Sequence, residues 1–425
     1  MLETLKNAWK VKELRNKILF TLLIIVIFRI GSVIPVPYVD PDVIVGATTS
    51  NSFFSYLSIL TGGGLEYGAI FALSITPYIN ASIIIQLLCV AIPYLERLSK
   101  EGEEGQKKLA TITRYTTVGL ALIQGIAYFF YLKTLPGCLT VTKGVGLWFA
   151  AVVIVATFAA GSAVVMWLGE QIDVKGIGNG ISVLLFAGIL SRGDDAIIYL
   201  WEQCFTLKRW FEVIAIVIAF FLVIAFIVWM THAERRIPVQ YAKRVVGNKM
   251  YGGQNTHIPI KVNMSGVMPV IFASSILMLP TMVLSFMSDR TTSFAKFLEL
   301  FSTQGVFYAV LYFIMIIAFA YFYATIQFNP VEMANNLRKN GGAVPGIRPG
   351  KPTSDFISKI LSRITLMGAL FLSVIAILPI IVGNVGGINI SLGGTSVLIM
   401  VGVALDTVNN LESQMMMRHY KGFLD

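Results

Sequence analysis

The chain is written as a series of apolar runs, each about as long as a bilayer is thick, with charged loops between them. A hydrocarbon core of about 30 Å takes ~20 apolar residues in helical form. Runs of that kind cover residues 18–36, 75–93, 111–132, 146–168, 211–230, 267–287, 305–328, 364–382 and 394–411. A shorter, glycine-flanked run at 176–190 makes a tenth. Composition agrees: 56% of the residues are apolar and 13% charged, with 37 glycines besides. A water-soluble fold of this size has no core large enough to hide that much apolar surface. A disordered chain, a disulfide scaffold and an ordinary soluble enzyme are excluded. The reading is an all-α polytopic membrane protein with ten transmembrane helices.

Charge sets the orientation. Ten crossings put both termini on one side. With Arg114 and Glu212 counted to the loops they adjoin, that side carries 25 Lys and Arg, the other side 7, and Arg29 lies inside the first run. An excess of this size marks the cytoplasmic side, so both termini are expected there. Omitting the short run at 176–190 would move the later basic loops to the wrong face. Residues 1–17 form a basic amphipathic stretch without the small-residue cleavage site of a signal peptide. Large cytoplasmic loops are expected at 95–108, 231–265 and 329–363, the last two with six Lys and Arg each. Within 231–265, residues 237–241 and 257–262 flank a glycine-containing stretch at 247–253, which predicts a β-hairpin.

Residues 62–74 break the pattern. Gly62, Gly63 and Gly64 lead into Leu65, Glu66, Tyr67, Gly68, Ala69, Ile70 and Phe71, too short a segment to cross. Thr76-Pro77 then reads as helix cap and first helical residue. The spacing predicts a half-helix ahead of the second span. Broken backbone at membrane depth is tolerated where it is buried in protein or lines an aqueous path. A transport path is therefore expected beside it.

Chemistry is sparse. Between the ends of the runs only Arg29 and Asp406 are ionisable. An ion-coupled transporter or an intramembrane enzyme places charged or catalytic groups at membrane depth. His232, His257 and His419 all fall in cytoplasmic segments, and Cys89, Cys138 and Cys204 form no metal-ligand spacing. Gly176-Ile177-Gly178-Asn179-Gly180 lacks the preceding strand of a nucleotide loop and reads as a tight entry to the fifth span. No Walker sequence occurs. No metal or cofactor is implied, and the driving energy is expected from a partner.

Several long segments are distinctive. They are FRIGS at 28–32 with IPVP at 34–37, IFALSITPYINASIIIQLL at 70–88, KEGEEG at 100–105 and WLGEQIDVKGIGNGIS at 167–182. RRIPVQYAKR at 235–244, THIPIKVNMSGVMPVIFASS at 256–275, FNP at 328–330, VPGIRPG at 344–350 and GGTS at 393–396 follow. With these in this order on ten runs, the chain resembles the SecY family, channel subunits of bacterial Sec protein translocons. Glu234, Asn80 and Ser265 depart from the residues usual in that family.

The resemblance implies two pseudo-symmetric halves around a central pore: residues 1–190 with spans 1–5, and 191–425 with spans 6–10. It implies that 62–74 is a half-helix plug, and a pore ring at Ile75, Ile79, Leu185, Ile271 and Ile399. Branched aliphatic side chains dewet an empty constriction and yield around a passing chain. It further implies a lateral gate with Asn80, Gln124 and Ser275, and cytoplasmic contacts through Arg235, Arg236, Lys243, Arg244 and Arg348. The implied partners are SecE and SecG subunits, the SecA motor ATPase, the ribosome, signal sequences and nascent polypeptides, and membrane lipids. The implied location is the bacterial inner membrane.

Overall fold

The computed structural model describes residues 9–48, 58, 61–141, 144–206, 210–241, 244–246, 249–251, 255–286, 292–301, 305–386 and 394–421. Each of the ten apolar runs lies on a helix. They are α1 (Lys12–Gly31), α3 (Thr76–Ala91), α5 (Glu103–Thr134), α6 (Val145–Lys175), α7 (Gly180–Leu190), α9 (Trp210–His232), α10 (Met268–Phe286), α12 (Val306–Gln327), α14 (Lys351–Gly386) and α15 (Gly394–Lys421). Short helices α2 (Pro41–Thr48), α4 (Pro93–Lys100), α8 (Gly193–Trp201), α11 (Ser293–Glu299) and α13 (Pro330–Lys339) lie between them.

By length and apolarity alone, five helices of the described residues qualify as crossings, all within α5, α6, α9, α12–α13 and α14. A sixth path joins α3 and α4, bent by 102°. The bend has a local cause: Ile92 is extended, at φ −109° and ψ 115°, because it precedes Pro93. At 11 residues, α7 reaches only about half of a ~30 Å core.

Three apolar clusters organise the interior. One joins α5 and α6 around Tyr128, Phe158 and Leu65. A second, in the later half of the chain, packs Tyr312 and Ile316 of α12 against Leu372 and Ile375 of α14 and Leu398 of α15. A third lies between them and draws Phe28, Ile75, Val165, Leu184, Leu185, Ile399 and Val403 together. At one end of the bundle Leu14 of α1 meets Leu411 of α15 beside Ile177, and Lys17 Nζ donates to Gln414 Oε1 at 3.0 Å.

The expected hairpin is present and longer than the sequence suggested. Strand β1 (Glu234–Tyr241) pairs antiparallel with β4 (Asn255–Lys261), Ile237 opposite Ile258. Strands β2 (Arg244–Val246) and β3 (Lys249–Tyr251) form a separate two-stranded ladder between them. The free edge of β1 is taken by β5 (Gly342–Ala343), from the other large basic loop. Outside this sheet and the β2–β3 ladder the described residues are mostly helical, as expected. Alternation puts Ile237 and Val239 on one face of β1, where they pack on Ile357, Leu361 and Ile364, one face of α14. The two basic loops therefore form a single packed module.

Ile357 is fully buried in that module. Ile357→Ala is expected to cost about 2–5 kcal/mol of its stability. Limited proteolysis should then cut 231–265 and 329–363 at lower protease concentrations, while the transmembrane bundle stays resistant.

A buried segment of turns and an aliphatic cluster

Residues 62–75 are not a half-helix. They form a succession of tight turns, with Gly62, Gly63 and Gly68 at φ of 65°, 87° and 54° and Ser74 at 48°. Left-handed residues at this spacing prevent a helix from propagating. The same turns move the helix start. Ile75 rather than Thr76 is the cap of α3, and no side chain caps it. The Thr76 N–H already donates to the Leu73 carbonyl at 3.2 Å.

The segment is buried even so. Gly62, Gly63, Gly64, Leu65 and Glu66 are enclosed, as is Phe71, while Ile70 is half-buried and Tyr67 exposed. Backbone enclosed in this way needs hydrogen-bond partners, and the surrounding elements supply them. Arg29 Nη1 on α1 donates to the Gly62 carbonyl at 2.8 Å and to Ser191 Oγ at 2.7 Å. Tyr128 OH on α5 donates to the Leu65 carbonyl at 2.8 Å, and Ser162 Oγ on α6 to that of Ser74 at 3.2 Å. The chain just after α1 completes the set: Val36 N donates to Gly68 O at 2.9 Å, and Ile70 N to Ile34 O at 3.0 Å. Glu66 is held by Arg192 in a two-pronged ion pair, at 2.7 and 2.5 Å. The rings of Phe28 and Phe71 stack with centroids 6.2 Å apart.

Tyr128, Ser162 and Arg192 were not singled out by sequence. Arg29 stood out as a charge inside a span. Nothing in the sequence joins Arg192 to Glu66, 126 positions away.

Four elements bring the expected ring together. Ile75 and Ile79 come from the start of α3, Leu185 from α7, Ile271 from α10 and Ile399 from α15, and all five belong to one apolar cluster. Ile75, Leu185 and Ile399 are at most 6% exposed, and Ile79 and Ile271 are half-buried. Phe71 of the plug segment joins the same cluster. These five side chains and the segment at 62–74 are thus packed in one apolar cluster.

Asn80, Gln124 and Ser275 lie on α3, α5 and α10 as expected, each half-buried. Among the described residues no hydrogen bond links them. Where α10 meets the earlier half, Met278 packs on the cluster around Tyr128 and Leu65. This seam is held by apolar contact.

On the basic module Arg235 is exposed, and Arg236 is exposed but ion-paired with Glu234 at 2.6 Å. Arg348 is exposed on a turn between Gly346 at φ 80° and Gly350 at φ 104°. Its carbonyl accepts from Thr353 Oγ1 at 2.9 Å, and the neighbouring Ile347 packs into the module core. Arg244 begins β2, and Lys243 lies outside the described residues.

Gly161 of α6 lets the plug segment approach this closely. A Cβ there would stand 2.1 Å from the Ile70 carbonyl oxygen. Gly161→Val is expected to cost about 1–3 kcal/mol, read as a lower unfolding temperature in detergent, with Ala159→Val on the same helix costing less.

Comparison with known proteins gives a consistent result. The SecY family model matches residues 69–408. The protein translocase subunit SecY of Streptomyces scabiei is 44% identical over 438 residues, covering 100% of both chains. That of Bacillus subtilis strain 168 is 43% identical over 436 residues, again covering 100% of both. Among solved structures, a protein-conducting channel superposes with a TM-score of 0.65 at 18% identity, covering 94% of this chain and 92% of that one. Sec61 from a canine ribosome–channel complex gives 0.62 at 17% identity, with the same coverage of each. A full-length match at this identity, on the same helical fold, places the chain in the SecY family.

Proposed function

We propose that the chain is the pore-forming subunit of a protein-conducting channel. It passes unfolded secretory polypeptides across the bacterial inner membrane and releases transmembrane segments sideways into lipid. It is a conduit rather than an enzyme, and it needs no cofactor. The observation that carries this reading is the convergence of Ile75, Ile79, Leu185, Ile271 and Ile399, from four separate elements, with Phe71 packed among them. Within a SecY-family chain such a cluster is suited to be the seal. Apolar walls exclude ions by dewetting when closed, and they offer a translocating side chain no fixed charge to cling to.

On this reading all ten helical runs cross, in halves 1–190 and 191–425, and residues 62–74 plug the external funnel. The halves part between α3 and α5 on one side and α10 and α12 on the other. The apolar seam at Met278 suits a lateral gate, since an apolar signal helix can replace apolar contacts without leaving a polar group unpaired. Cytoplasmic termini are supported by the charge bias and by the meeting of the α1 start with the end of α15.

The basic module is the proposed docking face for the SecA motor and the ribosome, the partner with which the canine Sec61 channel was solved. SecE and SecG subunits and surrounding lipid complete the assembly. Arg348 is its best-presented cation, because the flanking turns restrict the backbone and lower the entropy lost on contact.

Two experiments test this reading. Replacing Ile79, Leu185, Ile271 and Ile399 by Ser should raise resting ion conductance in planar bilayers and let precursors with weak signal sequences through. Unchanged conductance would remove these residues from the seal. Arg348→Glu should abolish motor-driven precursor import into reconstituted vesicles, with the protein folded and inserted normally. A hot-spot contact of this kind is worth ~2 kcal/mol or more. Lys351→Glu should have a smaller effect.

A further inference from the structure

Glu66 is the only charged side chain in residues 61–75. It is 9% exposed and bound by both terminal nitrogens of Arg192, in the turn that follows α7. One position earlier, the Ser191 hydroxyl receives Arg29 Nη1, which also donates to the Gly62 carbonyl. A Cβ at Gly62 would stand 2.9 Å from Ser191 Oγ and 3.0 Å from Arg29 Nη1, so only glycine fits there without displacement. Two arginines, from α1 and from the turn after α7, therefore grip the first turn of the plug segment from either side.

The partners divide sharply by kind. Among the described residues, the polar contacts made to 61–75 from outside it and α3 come from Arg29, Gly31, Ile34, Val36, Ser58, Tyr128, Ser162, Ser191 and Arg192. All belong to the earlier half or, for Ser191 and Arg192, to the turn that caps α7 and is bonded back to it, at the very head of 191–425. The later half meets this segment through apolar side chains such as Ile271, Ile399, Val403 and Met278. Apolar contacts slide and re-form around a moving neighbour. A two-pronged ion pair in a low-dielectric site has one good geometry and is lost as a unit.

We infer that the Glu66–Arg192 pair, braced by Arg29, is a latch that holds the plug to the earlier half when the two halves part, so that its strength sets how demanding the channel is of a signal sequence. Parting of the halves breaks only the apolar face. Plug release is a second event, driven by the entering chain. The inference rests on the reading of 62–74 as the plug, and it adds residues that neither the ring nor the gate contains.

The test uses the complete channel complex in planar bilayers and in vesicles. Glu66→Gln keeps the side-chain shape and removes the charge, while Glu66→Arg and Arg192→Glu reverse each partner. Each should raise resting conductance, and export of a precursor with a defective signal sequence, by about tenfold or more, the effect of losing one partner of an enclosed pair. The double reversal Glu66→Arg with Arg192→Glu should return both readouts toward the parent. Single variants that match the parent in both readouts overturn the latch, as does a double reversal no better than its worse parent when Glu66→Gln is also silent. A separate arm reads the plug itself: a cysteine at the exposed Tyr67 should change its labelling from the external side when a precursor is engaged. A change there with silent Glu66 and Arg192 variants leaves the plug standing and removes the latch. No change removes the plug reading.

Discussion

Every peptide group enclosed at membrane depth must find a partner within the protein, and the rest of this structure follows from how that demand is met. The long helices meet it internally. Residues 61–75 cannot, because left-handed residues at 62, 63, 68 and 74 break the helical ladder. Their carbonyls and amides are served by side chains and backbone of α1, α5, α6 and the turn after α7. Those four elements must therefore stand in a ring around the segment. Arg29 inside a span, which would be costly facing lipid, is explained by the carbonyl and hydroxyl it joins.

Two kinds of adhesion meet at this place. Among the described residues, the segment is held by directional bonds to α1, α5, α6 and the turn that caps α7, and toward α10 and α15 by aliphatic packing. The difference matters for a channel that opens between its halves. An apolar face can be parted and closed repeatedly without leaving an unpaired polar group behind, whereas a broken polar face would leave several. The same argument applies to the five aliphatics packed against the segment, which need no polar partner when separated.

The two basic loops solve a different problem. Loops 231–265 and 329–363 carry many like charges, which by themselves would keep them apart and solvated. A strand from one is paired with a short strand from the other, and Ile237, Val239 and Val344 close over Ile357 and Leu361 of α14. From this module α14 runs on into the bundle as a single helix of 36 residues.

Sequence alone determined the ten helical runs and the hairpin around residues 237 and 258. Each rests on a local signal: a long apolar run, or two alternating segments flanking glycine. The ring residues were legible only through the family resemblance, since one isoleucine among many carries no mark of its position. Tertiary structure decided the rest. The segment after Gly62 read as a half-helix because short apolar stretches look alike whichever way their glycines turn, and backbone dihedrals are set by the surrounding contacts. Asn80, Gln124 and Ser275 likewise came from the family resemblance; which face of a helix meets its neighbour depends on packing, and where α10 meets the cluster around Tyr128 it placed Met278. Glu66 and Arg192 are ordinary loop charges in sequence. They became partners only when α7, too short to cross alone, brought its C-terminal turn down beside the buried segment.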